Sequence, residues 1–455
     1  MTYTDFIAVI DLGTSHIIGM VGTKNPAGAL SIIAYEKEDA GTCIRRGCVY
    51  NVRETAMKVK RIVQKLENKL GGTRIKQVYV GLGGQSIRSI DHAVCKVLGT
   101  EGVVTDEVID ALYRECQAYR PDMLDVLDVV SPSYYLDDKL ELNPVGVPCT
   151  RIEARYKLIV GRPSLKSNVN NVFAEQLKLD VAGILIAPLV LGDVVLSDSE
   201  KDLGCALVDF GAGVTSVSVY KSGKLVSLAV VPFGGNLITK DITTLNVVEA
   251  EAERLKVTYG SAKADRDSDA SIAVNLSDGM GPREIKLVDL NNVVEARVNE
   301  ILENVYARLE ESKQISSLGA GVVIAGGGAA LKKLTSVMSE RLKMEVRYST
   351  IRKGVILNGD LNVSNNPEYA VAVGLLAKGT KNCALYIPPK PEPQPKPVVE
   401  PKPETNPQPK QEAPVEEPKK PKGKKKGSIW DKFSRTFDDI RNGAGLFDDE
   451  EMGKR

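Results

Sequence analysis

Two carboxylates, Asp11 and Asp209, end apolar runs that repeat one pattern 198 positions apart. The first run is FIAVIDLGTSHIIGMVG, Phe6 to Gly22; the second is CALVDFGAGVTSVSVYKSGKLVSLAVV, Cys205 to Val231. In each, an apolar strand ends in Asp, a tight glycine-bearing turn follows, and a second apolar strand returns. Glycines in such turns let backbone N–H groups approach a phosphate closely. Thr14 and Ser15 in one turn, and Thr215 and Ser216 in the other, add hydroxyl donors. Two carboxylates facing each other across a cleft suit a Mg²⁺ ion held through water. The chemistry is that of a polyphosphate and its cation. One such hairpin is weak evidence, because an ordinary hairpin capped by Asp and Gly has the same pattern. Two copies at domain-scale spacing point to paired lobes around one ligand.

The elements that must position these groups follow from the same text. Each turn leads into a strand rather than a helix, which excludes the P-loop and the dinucleotide-binding fingerprint. A third element, GVVIAGGGAALKKL from Gly321 to Leu334, reads as an apolar strand, three glycines and a helix opening. That arrangement places backbone and a helix N-terminus beside a ligand. Between them, GGNLITKDITTLNVVEAEAERLKVTYG from Gly234 to Gly260 reads as helices, with Glu253 and Lys256 three apart on one face. The pair can hold a ribose or adenine edge; alone it is a solvated ion pair.

Composition removes other classes. The chain has 455 residues, enough for two or more domains, and its net charge is +1. A balance of that kind argues against nucleic acid as a partner. Two histidines rule out a zinc site built on several of them, and seven cysteines without a C-x-x-C pair support neither a disulfide framework nor a thiol redox motif. A reducing compartment is expected. The N-terminus lacks the basic start and long apolar stretch of a signal peptide. The longest apolar run, near Val181 to Leu191, falls far short of the ~20 residues of a membrane span.

Composition changes after Ile387. From Pro388 to Lys426, 13 of 39 residues are proline and ten are lysine, with no aromatic residue. Such a stretch is expected to be a disordered tether. Behind it, Ile429, Trp430, Phe433, Phe437 and Ile440 recur at three- to four-residue intervals, one stripe of a helix. The stripe needs a surface outside the tether. Six lysines between Lys419 and Lys426 favour anionic lipid, so Trp430, Phe433, Phe437 and Ile440 are expected to enter a membrane interface. A groove on a partner or on the body is the other candidate.

In order, these pieces resemble the actin, chaperone and sugar-kinase superfamily: IDLGTS matches its first phosphate loop, VDFGAGVTS its second, and AGGGAALKKL its adenosine motif. More closely, the chain resembles the FtsA family of bacterial division proteins. CIRRGCVYNV (Cys43 to Val52), VYVGLGGQSIRS (Val78 to Ser89), GGNLITKDI…AERLK (Gly234 to Lys256) and NPEYAVAVGLL (Asn366 to Leu376) carry that likeness over roughly residues 5–380.

The resemblance implies an α/β chain with an actin-like two-lobed ATPase fold and an inserted FtsA-type subdomain. The first lobe would take residues 1–83 and 163–200, and the insertion 84–162. The second lobe would begin at 201–239 and carry a subdomain at 240–310. Residues 311–387 would complete it and return to the first lobe. A disordered linker, 388–426, and an amphipathic tail, 427–455, would follow. Asp11, Gly13, Thr14 and Ser15 would form the first phosphate loop, and Asp209, Gly211, Ala212 and Gly213 the second. Glu253 and Lys256 would approach ribose and adenine; Gly326, Gly327, Gly328 and Ala329 would line the adenosine. Asp11 and Asp209 would reach Mg²⁺ through water.

By the same resemblance the chain binds ATP, polymerises and holds FtsZ filaments at the inner face of the cytoplasmic membrane. The FtsZ C-terminal tail would dock at 240–310, and the insertion would contact later division proteins. The second loop departs from the superfamily pattern: Ala212 replaces a glycine, Val214 a threonine and Ser216 an aspartate. Thr215 stands next door as a substitute hydroxyl. No residue at 216 orients an attacking water, so hydrolysis is expected to be slow at most. A pilus-assembly adaptor and a small-molecule kinase of the same superfamily are the alternatives. Arg45 and Arg46 read as a surface loop pair, though either could reach phosphate. The basic helix Thr55 to Leu70 is expected to pack on a sheet, and His16 divides evenly between packing and nucleotide contact.

Overall fold

Strand β1 (Ile7–Leu12) is an apolar run buried along nearly its whole length, as a central strand must be. The computed structural model to which it belongs describes residues 4–385 except 101, 276–281, 358–360 and 365. β1 pairs antiparallel with β2 (His16–Lys24), which pairs antiparallel with β3 (Leu30–Asp39). Helix α1 (Val52–Lys69) follows, capped by Asn51, whose side chain accepts the Glu54 N–H at 3.1 Å. On its other flank β1 runs parallel to β4 (Gln77–Leu82), and β4 runs parallel to β5 (Asp180–Ile186). The order is β5-β4-β1-β2-β3.

Helix α2 (Ala187–Val195) leads towards the second sheet. There β6 (Cys205–Phe210) pairs antiparallel with β7 (Thr215–Lys221), and β7 with β8 (Lys224–Val231). Helices α3 (Gly235–Ile242), α4 (Glu249–Tyr259) and α5 (Leu287–Glu311) intervene. β6 then runs parallel to β9 (Val322–Ala325), and β9 to β10 (Val346–Tyr348). The order β10-β9-β6-β7-β8 repeats that of the first sheet strand for strand. Helix α6 (Ala370–Lys378) returns to pack on β1 and α2.

One core takes in the first sheet and one face of the second, including Leu207, Leu228 and Val323, and another covers the second sheet's opposite face. Ile10, Ile17 and Val80 pack with Val59, Ile62 and Leu66 of α1. Val208, Val217 and Ile324 pack with Val294, Val298 and Val305 of α5. The α1 helix lies on β2 and β3, as its pattern predicts, with Ile62 pressed on Gly19. Its lysines meet acids of β3: Lys65 pairs with Glu38 and Lys69 with Glu36, each at 2.6 Å. Three fully buried aliphatic side chains contribute roughly 1.5–3 kcal/mol each, so tertiary packing rather than a lipid surface accounts for the apolar face.

Residues 88–161 build a third core. Strand Arg151–Gly161 pairs antiparallel with Arg88–Val97 on one side and Asp125–Leu136 on the other. Helix Asp106–Ala118 covers one face, burying Val108, Leu112 and Cys116 against Ile152, Ala154 and Tyr156. The base of this unit, Ile87 and Ile159, belongs to the first core. It continues the second sheet: Ala229 of β8 is paired with Arg88, the Leu228 N–H donates to Ser89 Oγ at 2.9 Å, and Lys224 Nζ donates to the Pro132 carbonyl at 2.8 Å.

No helix among the described residues is long and apolar enough to cross a membrane. The tether at 388–426 and the tail with Trp430, Phe433, Phe437 and Ile440 lie outside the described residues.

Candidate nucleotide site

β1 and β6 carry Asp11 and Asp209 to equivalent places. Asp11 stands in register with Ile18 of β2 and Gly81 of β4; Asp209 stands in register with Ser216 of β7 and Ala325 of β9. Burial pushes the Asp11 carboxyl up to about 7, and the charge of Asp209 adds to the rise. Burial pushes Asp209 up to about 6. The charge of Asp209 is felt at Asp11, so the two carboxylates lie within electrostatic reach of each other. Two acids held against their ordinary ionisation form a site that a cation would relieve. No cluster of three or more metal-ligating side chains occurs among the described residues. A two-carboxylate set fits Mg²⁺, which keeps several waters and takes further oxygens from phosphate.

The turns between the strands meet. A Cβ added to Gly213 would lie 2.7 Å from Thr14 Oγ1 and 3.0 Å from the Arg46 Cα. Thr14 Oγ1 also accepts the Gly47 N–H at 2.9 Å. So the first loop, the second loop and the hairpin at 44–49 converge on one hydroxyl. Gly13 is packed against the His16 carbonyl, and a Cβ there would approach it to 2.6 Å. Ser15 is exposed, and its carbonyl accepts the Ala40 N–H at 2.8 Å. The Gly211 N–H closes the second turn by donating to the Val214 carbonyl at 3.0 Å.

A contact not foreseen from the sequence holds this turn. The first residues of α3 donate into it: Gly235 N–H to the Gly211 carbonyl at 3.0 Å and Asn236 N–H to the Ala212 carbonyl at 2.8 Å. Gly234 must be glycine, since a Cβ would sit 2.6 Å from both the Gly211 and Ala212 carbonyl oxygens. The adjacent pair Gly234–Gly235 was the available signal. Lys256 on α4 reaches the same place. Its Nζ donates to the Gly235 carbonyl at 3.2 Å, Thr239 Oγ1 at 2.9 Å and Glu253 Oε2 at 2.6 Å. The Lys256 side chain is largely covered and that of Glu253 half exposed, so this is more than a solvated surface pair.

The glycine turn after β9 differs from expectation. Gly326 has φ +81°, and Gly327–Ala330 forms a 3₁₀ turn; the helix Leu334–Leu342 opens only after Lys333, at φ +61°. No helix N-terminus follows the glycines directly. Gly326 packs on Asp209 Oδ1 and the Phe210 carbonyl, and a Cβ on Gly328 would lie 2.9 Å from that carbonyl oxygen. Ala329 is buried, whereas Gly327 is open. The turn is tied to the end of α4, with Lys332 Nζ donating to the Thr258 carbonyl at 2.7 Å. The glycine turn and the Glu253–Lys256 helix are therefore neighbours.

Two hydroxyls expected in the second turn are elsewhere. Pairing of β6 with β7 starts at Phe210 and Thr215, so the turn is only Gly211–Val214. Thr215 is buried and donates to the Phe233 carbonyl at 2.9 Å; Ser216 is buried on the strand. Thr215 thus does not replace the hydroxyl absent at Val214. His16 is occupied as well: its Nδ1 lies 2.9 Å from Glu368 Oε1, and Lys37 lies 2.9 Å from Oε2. The hydrogen bond from His16, then that from Lys37, holds Glu368 down to about 2.

The sequence model described as "Cell division protein FtsA" matches residues 206–374. Cell division protein FtsA of Porphyromonas gingivalis is 40% identical over 383 residues, covering 84% of this chain and 79% of that protein. The chain belongs to the FtsA family. FtsA of Neisseria meningitidis is 29% identical, covering 83% of this chain and 90% of that protein. Among solved structures, a PilM-PilN type IV pilus biogenesis complex aligns with a TM-score of 0.56 at 16% identity, covering 81% of this chain and 97% of that one. That likeness is one of fold. The repeated sheets give this FtsA-family chain the actin-like two-lobed architecture expected of it.

Proposed function

We propose that this FtsA-family chain binds ATP with Mg²⁺ between its two sheets, polymerises, and tethers FtsZ filaments to the inner face of the cytoplasmic membrane. The reading rests on one observation above others: the turns that follow Asp11 and Asp209 on the duplicated strands meet, a Cβ on Gly213 falling 2.7 Å from Thr14 Oγ1. Backbone N–H groups of Gly13–Ser15 and of Ala212 and Gly213 would cradle the phosphates, with Gly211 closing the second turn, while Lys256 and Glu253 face ribose and adenine and Gly326–Ala329 line the adenosine. Mg²⁺, when bound, would neutralise phosphate charge and let both carboxylates ionise. Ser216 stands where a water-orienting carboxylate is expected, so at most slow hydrolysis follows.

Lipid attachment through Trp430, Phe433, Phe437 and Ile440 would be reversible for one chain and firm for a polymer, because many tails then share one surface. Docking of the FtsZ C-terminal tail at 240–310 and recruitment of later division proteins by 84–162 belong to the same proposal. Family membership favours it over the pilus adaptor and the kinase. Nucleotide titration of the full chain tests it: MgATP should bind, and Asp11→Asn with Asp209→Asn should lose the Mg²⁺ dependence. Binding equally strong with and without Mg²⁺ in the native chain would overturn the two-carboxylate reading.

A further inference from the structure

Ile44 pairs with Val49 and Arg45 with Cys48, so Arg46 and Gly47 are a two-residue hairpin turn. Both have positive φ, 49° and 73°. Asn and Gly favour such a turn, and a long side chain there is strained. The strain sits where the turn touches both phosphate loops, through the Gly47 N–H on Thr14 and the Arg46 Cα against Gly213. Arg45 points elsewhere, with its guanidinium 3.7 Å above the Tyr50 ring. Arg46 Nη1 instead donates to Gln85 Oε1, an uncharged amide oxygen, at 3.2 Å in an exposed hydrogen bond. Among the described residues no carboxylate pairs with it. Strained residues persist where the surroundings over-determine them, and they cluster at ligand clamps.

We propose that Arg46 leaves Gln85 to contact the terminal phosphate of a bound nucleoside triphosphate, and so sets the preference for triphosphate over diphosphate. The inference rests on the nucleotide reading above. The second loop supplies few side-chain donors, since Thr215 is committed to Phe233 and Ser216 is buried. A guanidinium can supply two parallel N–H bonds to phosphate oxygens, stronger than neutral ones. Exchanging an exposed carboxamide for a phosphate is therefore favourable.

Fluorescent-nucleotide titrations of the full chain with MgATP and MgADP test this, using Arg46→Asn and Arg46→Lys. Asn tolerates the left-handed turn, so the hairpin is kept. Arg46→Asn should weaken MgATP about tenfold or more and MgADP less than about twofold, with Arg46→Lys in between for MgATP. Equal weakening of both nucleotides, or of neither, overturns the role of Arg46 and leaves the nucleotide reading intact. A native chain that binds neither nucleotide overturns both.

Discussion

Thr14 and Gly213 touch across the two halves of the duplicated fold: a Cβ on Gly213 would come within 2.7 Å of Thr14 Oγ1. Gly213→Ala should push the loops apart. The expected result is an MgATP affinity at least about tenfold weaker, with a far-UV spectrum unchanged, because the added methyl strains only the loop contact. Equal affinity in a titration of the two proteins would show that the contact does not shape the site.

Thr14→Val should remove the acceptor of the Gly47 N–H while keeping the shape of the side chain. An unpaired, partly buried donor costs about 1–2 kcal/mol. Urea unfolding of the nucleotide-free chain should detect that loss, and Thr14→Ser should restore most of it.

Asp11 ties stability to pH. Its folded value, about 7, lies above the ordinary 3.8, so the folded state binds the extra proton in between. Stability of the nucleotide-free chain should therefore fall as pH rises from 3.8 towards 7. Asp11→Asn removes the penalty and should stabilise the chain at pH 8 by up to about 4 kcal/mol. Denaturation of both proteins at pH 5.5 and 8 checks the sign.

Glu368 works in the opposite direction. Held at about 2, below its ordinary 4.5, it contributes stability that is complete above 4.5 and lost as pH falls towards 2. Glu368→Gln should cost about 1 kcal/mol at pH 7, discounted for its partial exposure, and little at pH 2. Melting temperatures across that range would show the gap closing on acidification.

Attachment to lipid should depend on the aromatic stripe. Vesicles containing anionic lipid should float the full chain, while truncation at 426, or Trp430→Glu with Phe433→Glu, should leave it in the soluble fraction. Unchanged flotation would remove the lipid reading.

The duplicated Asp–Gly hairpins were legible because each apolar run stops at its aspartate, and strand burial follows that run directly. The basic helix α1 was legible for the same reason, since its 3.6-residue period marks one face. What the sequence hid depends on residues far apart in the chain. Thr215 looks like a loop hydroxyl until the pairing of Phe210 with Thr215 shortens the turn. His16 shows no sign of Glu368, and Gly234–Gly235 shows no sign of the carbonyls it caps. The helix expected after Gly328 begins late, because Gly326 first bends the chain around Asp209 and Lys333 reverses it again.

The unit at 88–161 is rooted in the first core by Ile87 and Ile159, and it meets the second sheet at the pairing of Ala229 with Arg88. Its strands run about 33 Å, at ~3.3 Å per residue. A tilt of about 5° at the root thus displaces the far end by about 3 Å over that length. Any tilt at that root would therefore be felt most at the far end of the insertion.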